Sequence, residues 1–381
     1  ISACLVGSEM CIRDSLNTTS VAGLKSYWSV QTTNFVSTSP VAANGYIYVG
    51  SADHKLYQIN TTTHKKIWFD THNPIYSSPA VDSGIVYLTT YTAQLYTLDA
   101  ISFKVKWSAV IGNTKIGNVN ESAPIVASEV IKGASTSVVY VGSNDHNLYA
   151  FNASGCGNSV CTPLWKAPTG NAIYSSPAVA TEVINSTSTS VVYVGSNDGN
   201  LYAFNASTGA QIWSFSTGGA IVASPTVVNG VVYVGSTDSK FYAVDATTGT
   251  ELWYYTTGNE IFSSAAVTNR VAYVGSYDHK LYAFTIANCG SNGQVCQPTW
   301  MAPTGGYISS SPAVANDVVY VGSYDHKLYA FDANGCGSGN TTSTCSPLRT
   351  VSTGGPIKSS PVVINGVVYV GSYDYKFYAF H

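Results

Sequence analysis

The sequence predicts an all-β chain folded as a single eight-bladed β-propeller of four-stranded antiparallel blades. Three observations carry that expectation. A fourteen-residue phrase recurs as YIYVGSADHKLYQI from Tyr46, VVYVGSNDHNLYAF from Val138, VVYVGSNDGNLYAF from Val191, VVYVGSTDSKFYAV from Val231, VAYVGSYDHKLYAF from Val271, VVYVGSYDHKLYAF from Val318 and VVYVGSYDYKFYAF from Val367, with a worn copy, IVYLTTYTAQLYTL, from Ile85. Gly195, Gly235 and Gly275 of successive copies stand 40 residues apart, the period of a four-stranded blade. All seven tryptophans, Trp28, Trp68, Trp107, Trp165, Trp213, Trp253 and Trp300, hold one place relative to that phrase.

Each repeat divides into strands. The segment SSPAV, from Ser175 to Val179 with counterparts at Ser77, Ser310 and Ser359, is expected as innermost strand A, because large side chains clash where blades converge on the axis. VVYVG is strand B and LYAF strand C, joined by a tight turn such as Ser-Tyr-Asp-His-Lys. Strand D carries the tryptophan, except that Arg349 takes its place in one copy. Eight A-B-C sets run from near Val36 to Phe380, and an unattached D-like stretch surrounds Trp28. The count balances if the N-terminal strand completes the last blade, which closes the ring without an exposed inner edge. It also leads us to expect no further blade upstream.

Residues 1–15 stand apart. LVGSEMCIRDS, from Leu5 to Ser15, shares no pattern with the rest and resembles the translation of a transposase adapter used in sequencing libraries. It is set aside as a processing scar, and residues 16–381 are read as the propeller. Ile1-Ser2-Ala3-Cys4 has the look of a lipobox, but no basic and apolar stretch precedes it.

Composition bounds function. Of 381 residues, 45% are hydrophobic and 10% charged, with 34 Gly and 28 Tyr. Net charge is −3 with only three arginines, Arg13, Arg270 and Arg349, so a phosphate-reading surface and a nucleic-acid partner are not expected. Apolar runs are short, and no transmembrane helix is expected.

At the C–D connection the sequence resembles a known family. Ala243-x-Asp245-x-x-Thr248-Gly249-x-x-x-Trp253 matches the tryptophan-docking motif of the PQQ-type (quinoprotein) β-propeller repeat family, and Ala203-x-Asn205-x-x-Thr208-Gly209-x-x-x-Trp213 matches it with one change. The likeness runs from Leu24 to Phe380. It implies that the tryptophans pack between blades as aromatic docking groups. The family holds both quinone-dependent dehydrogenases and non-catalytic scaffolds, so the fold leaves function open. In its enzymes a vicinal cysteine disulfide faces the quinone, and calcium is bound by Glu, Asn and a catalytic Asp. This chain has no adjacent cysteines and, beyond residue 15, five glutamates: Glu121, Glu129, Glu182, Glu251 and Glu260. Glu121 and Glu260 precede A strands, and they are read as solvated loop carboxylates. No catalytic residue, metal or cofactor is therefore expected.

Asp53-His54, Asp145-His146, Asp278-His279 and Asp325-His326 recur in the B–C turn, while Asp198, Asp238 and Asp374 keep the position without His. They are read as turn formers, since aspartate accepts the backbone amides that follow it. Equivalent turns of a ring also stand too far apart to share a metal.

Beyond residue 15 six cysteines remain: Cys156 and Cys161, Cys289 and Cys296, Cys336 and Cys345. Each pair lies in one C–D connection, on blades 3, 6 and 7. Local pairing is the simplest of fifteen connectivities, with zinc shared between blades 6 and 7 as the rival. Disulfides imply an oxidising compartment. Seven Asn-x-Ser/Thr triplets, at Asn17, Asn60, Asn120, Asn152, Asn185, Asn205 and Asn340, suit a surface protein, although Asn- and Thr-rich turns also produce them by chance.

In a four-stranded antiparallel blade the A–B and C–D loops share one face, and the B–C and D–A loops the other. The cystine loops and the insertions 132–137 and 185–190 are thus placed on one face. The opposite face presents Tyr277, Tyr324 and Tyr373 on successive blades and Tyr91 on blade 2, a tyrosine arc that is the candidate binding surface. The leading expectation is a non-enzymatic extracellular or cell-surface propeller, periplasmic in a Gram-negative source, that binds a protein partner or itself. Low net charge favours self-association, and heterologous stacking of discs would build filaments. The rivals are a PQQ- and calcium-dependent dehydrogenase and a glycan-binding module.

Overall fold

The computed structural model describes residues 16–112, 121–131, 133–268, 270–291, 293–336 and 344–381. The adapter-like segment 1–15 and the triplets at Asn120 and Asn340 lie outside the described residues. Eight sheets follow one another along the chain, each with an antiparallel A-B-C-D order. Blade 2 has the common lengths, with strands Ala80–Asp82, Ile85–Thr89, Gln94–Asp99 and Val105–Val110, while in blade 4 the insertion lengthens the first two strands to Ala178–Ile184 and Thr187–Gly195. In blade 8 the N-terminal strand Ser26–Gln31 pairs antiparallel with Lys376–Phe380 and supplies the fourth strand. The expectation of a last blade completed by the N-terminal strand is met.

A hydrogen-bond girdle closes the ring. The amide of the second small residue in each SSP-like segment donates to the hydroxyl of its counterpart on the next blade: Ala123 to Ser176, Ser176 to Ser224, Ser224 to Ser264, Ser264 to Ser311, Ser311 to Ser360, Ser360 to Ser39 and Ser39 to Ser78, all at 2.9–3.1 Å. The hydroxyl acceptor is missing only where Ala123 replaces serine. Strand A, expected from Ser175, begins only at Ala178, so the small residues precede the strand, and serine there also satisfies backbone donors at the axis.

Adjacent blades are joined by aromatic side chains. Apolar clusters combine the facing sides of two neighbours; one holds Tyr233, Phe241 and Trp253 of blade 5 with Val274, Tyr282 and Phe284 of blade 6. The strand-B tyrosine and the strand-D tryptophan of one blade grip a single carbonyl of the next. Tyr193 Oη and Trp213 Nε1 donate to the Ala246 carbonyl at 2.9 and 3.0 Å, and Tyr140 and Trp165 treat Ala206 likewise. A buried indole N–H is thereby satisfied. Gly249, at φ +72°, lies so close to Trp213 that a Cβ there would stand 2.8 Å from the indole.

Trp68 breaks the pattern, and the expectation that all seven tryptophans dock alike is corrected there. In blades 4 and 5 a bulge in the C–D pairing brings the indole opposite Ala203 and Ala243. Blade 1 keeps an unbroken register that sets Trp68 opposite Tyr57. A one-residue slip turns a side chain to the other face of its sheet, and Trp68 is 53% exposed. Gln58 holds the place of the usual small residue, and its amide donates to the Ala100 carbonyl at 2.5 Å, where an indole would otherwise bind. Arg349, in the tryptophan position of blade 7, stands opposite Ala330.

The cysteines pair locally as expected: Cys156–Cys161, Cys289–Cys296 and Cys336–Cys345. The carboxamides of Asn60, Asn152 and Asn205 accept amides of the following turn, so turn chemistry accounts for asparagine in those triplets. No helix among the described residues is long and apolar enough to cross a membrane.

Candidate interaction site at the channel mouth

Two loops of each blade meet at one end of the axial channel. The amide in the B–C turn donates to the carbonyl just before strand A, as in Tyr277 to Glu260, Tyr324 to Tyr307 and Tyr373 to Pro356, at 2.9–3.0 Å. The recurring aspartate reinforces this union. In Asp198, Oδ1 accepts the Asn200 amide, while Oδ2 accepts the Tyr202 hydroxyl at 2.8 Å and the Gly170 amide of the D–A loop at 2.6 Å. Asp238, Asp278 and Asp374 repeat the set with Gly218, Gly258 and Gly354. Protein donors thus account for the aspartate column, in agreement with its reading as a turn former. The histidines that follow it, His54, His146, His279 and His326, sit at φ between +69° and +73°. They occupy the left-handed position of the turn, where Gly199 and Ser239 stand in other blades.

This scaffold has a consequence in acid. Burial raises the Asp198 carboxyl, but hydrogen bonds from Tyr202, Asn200 and Gly170 outweigh it, and its pKa lies below the ordinary aspartate value. Asp245 is lowered in the same way by Thr247 and Thr248. A carboxylate with a depressed folded pKa contributes stability above its unfolded value, about 3.9, and loses it as pH falls through the folded value. Denaturation midpoints should therefore fall below about pH 4, and Asp198→Asn should flatten that decline. An unchanged acid slope in the variant would remove Asp198 from the explanation.

The tyrosine arc lies at this mouth, and further rings extend it. Phe262, Tyr277, Tyr307 and Tyr324 form one group: Tyr277 is 4.5 Å from Phe262 and stacks on Tyr307 at 4.9 Å, with Tyr324 6.2 Å from both tyrosines. Tyr373, Phe35, Tyr76 and Tyr91 form a second, at 4.7, 5.9 and 6.0 Å in that order. The four predicted tyrosines thus divide between two clusters. Phe35, Tyr76, Phe262 and Tyr307 escaped sequence reasoning. Their signal was present, because they flank the Ile or Val that precedes seven of the eight SSP-like segments. The rings are half-buried, and Tyr307 is 45% exposed. Burial raises the Tyr277 and Tyr373 hydroxyls above the ordinary tyrosine pKa.

A charge pair crosses between distant blades. Lys358, before strand A of blade 8, reaches Glu121, before strand A of blade 3, at 3.1 Å. Blades 8 and 3 are three steps apart around the ring, so side chains from their inner strands meet only across the channel. Glu121 is thus no merely solvated loop carboxylate: it forms a strut over the mouth, and sequence alone offered no sign of its partner. Burial acts to lower the Lys358 ammonium, but the Glu121 carboxylate, then Tyr373 and Tyr324, outweigh it, and its pKa lies above the ordinary lysine value. Glu260 is half-buried, and its carbonyl accepts the Tyr277 amide. The mouth therefore combines adaptable hydroxyls with rigid aromatic area, a composition suited to recognition.

Comparison with known proteins supports the same architecture. A PQQ-type repeat family model described as outer membrane protein assembly factor BamB matches residues 24–189 and 162–335. The BamB crystal structure from Moraxella catarrhalis superposes with a TM-score of 0.68 at 16% identity, covering 94% of this chain and 99% of that one. The computationally designed Ika8 protein superposes with a TM-score of 0.70 at 14% identity, covering 92% and 97%. These two likenesses concern the fold. A lupanine 17-hydroxylase [cytochrome c] from a Pseudomonas species is 50% identical over 38 residues, which is 10% of this chain and 6% of that protein.

Proposed function

The chain belongs to the PQQ-type propeller-repeat family of the outer membrane protein assembly factor BamB, and from that premise we propose a non-enzymatic interaction scaffold that binds a protein partner through its channel mouth. Residues 16–381 act in this reading as one rigid unit. The observation that carries it is the pair of aromatic clusters built by Tyr277, Tyr307 and Tyr324 and by Phe35, Tyr76 and Tyr373. Rigid rings offer contact area at low entropy cost. The disulfides and the likeness to BamB favour an extracellular or periplasmic setting. A second copy of the chain is the first partner to examine, because a net charge of −3 gives little mutual repulsion.

Light scattering of the full chain tests this. The expected result is a native mass above the monomer at micromolar concentration, reduced roughly tenfold in association constant by Tyr324→Ala or Tyr307→Ala, as for loss of a hot-spot tyrosine. A monomer at all concentrations moves the search to other protein partners, and an association indifferent to both substitutions rejects the mouth. The short hydroxylase match motivates one further arm: reduction of an electron-acceptor dye by alcohol after loading with PQQ and calcium would overturn the non-enzymatic reading. Glycan-array binding lost in Tyr324→Ala would replace the protein partner with a carbohydrate.

A further inference from the structure

The outer edge of every blade is its D strand, whose free side presents backbone groups that another strand can pair. Among the described residues three of these edges are paired through backbone hydrogen bonds, each by the residues at the second cysteine of the following blade's cystine loop. On blade 2 the Ser108 amide donates to the Ser159 carbonyl at 2.9 Å, and the Cys161 amide donates back to the Ser108 carbonyl at 2.8 Å. On blade 5 the Gly293 and Cys296 amides donate to the Leu252 and Tyr254 carbonyls at 2.9 and 2.8 Å. Trp253 and Tyr254 there pair in parallel with Gln294 and Val295. On blade 6 the Cys345 amide donates to the Met301 carbonyl at 2.9 Å, with Thr344 bridged in parallel to Met301.

The three contacts share one register. In each, the second cysteine binds the residue that follows the tryptophan of the covered blade: Trp107, Trp253 and Trp300. Those three indoles are the most buried of the seven, at 2–4% exposure. Trp28, Trp68, Trp165 and Trp213 precede blades without a cystine loop, and all are more exposed. Cys161, Cys296 and Cys345 are themselves buried in the same clusters as Trp107, Trp253 and Trp300. The loops therefore shut over both a strand edge and an indole.

We propose that the cystine loops are redox-releasable edge guards, and that the edges they cover on blades 2, 5 and 6 are parallel strand-acceptor sites for the same loop of a second copy of this chain. The segment that fits each edge is already present in every copy, seated on it in the oxidised protein. A dithiol reductant breaks the S–S bond with two electrons and two protons, yields two cysteine thiols and closes to its own cyclic disulfide. Without the cross-link the loop loses part of its entropic restraint. Its hold on the edge weakens, and exchange between copies becomes available. This association differs from that at the channel mouth, because it requires reduction and does not involve Tyr324.

The test is titration of the full chain with dithiothreitol, with thiols counted and trapped by alkylation. The expected result is a red shift of tryptophan emission and greater acrylamide quenching in step with thiol release. Exchange of the Gly293 and Cys296 amides should quicken by roughly tenfold or more, and native mass should rise above that of the oxidised protein, in Tyr324→Ala as in the parent. Cys289→Ser with Cys296→Ser should expose Trp253 alone, and Cys336→Ser with Cys345→Ser Trp300 alone, so each loop is a control for the others if one variant fails to fold. Full reduction with unchanged emission and exchange would overturn the guard. Opened loops without any gain in mass would overturn the second copy as occupant.

Discussion

Trp253→Ala should destabilise the protein by about 3–5 kcal/mol, as expected for loss of a buried large aromatic side chain, whereas Trp68→Ala should cost less than about 1 kcal/mol. The two residues hold the same place in the repeat but differ in register and in cover, since of the two only Trp253 lies beneath a cystine loop. Trp253 is 3% exposed and touches Phe241 and Phe284, each at a ring distance of 5.7 Å. Trp68 has rotated outward, with the Lys55 ammonium 5.3 Å above its ring. Such an exposed cation–π contact is worth roughly 0.5–1 kcal/mol. Urea denaturation of the two variants decides the point through their midpoints. Equal losses would mean that Trp68 docks after all and that the slip in blade 1 is not real. Gln58→Ala extends the experiment, because it frees the Ala100 carbonyl for an indole and should make Trp68→Ala more costly.

Gly195→Ala should cost about 1–3 kcal/mol, the range for overpacking a closed site. A Cβ on Gly195 would stand 2.1 Å from Ile221 Cγ2 and 2.8 Å from the Ile221 carbonyl oxygen. Neither neighbour is the tip of a flexible chain, so the D–A loop must move. Gly23→Ala, where nothing lies within 4 Å, is the control and should leave the midpoint almost unchanged. The clash recurs between Gly322 and Ile357, at 2.3 Å from Cγ2. Ile357 precedes Lys358, so Gly322→Ala should also disturb the strut to Glu121 and any binding at the mouth. A Gly195 variant as stable as its parent would show that the loop yields freely, and the mouth would then be a poor rigid platform.

Much of this was legible in the chain. The 40-residue spacing of Gly195, Gly235 and Gly275 announced the blades, and the unattached strand around Trp28 announced how the last one closes. Local cysteine pairing followed from short separations. Tyr91, Tyr277, Tyr324 and Tyr373 fell at one end because the B–C turn always lies there. The rest of the site was hidden for a definite reason. Phe35 and Tyr307 stand in a column that holds proline, alanine, valine or glutamate in other copies, and Tyr76 and Phe262 in one that holds Tyr174 but also serine, glutamate, valine and lysine, so no fixed residue type marked either column.

Periodicity acts through neighbours in the chain: alternation sets which side chains face in, a glycine sets where a turn closes, and a count of strands sets the number of blades. Those features the sequence determined by itself. The tertiary structure decided what depends on residues brought together from different blades. Lys358 meets Glu121 only because a closed ring sets blades 8 and 3 across a narrow channel. Trp68 faces outward because Gln58 takes a carbonyl that belongs to blade 2. The cystine loops cover the edges of blades 2, 5 and 6 because each lies beside the preceding blade's last strand. Gln58 and Ala100 lie 42 residues apart and Lys358 and Glu121 lie 237 apart; the repeat announces neither pair, and only folding of the ring places the partners within reach.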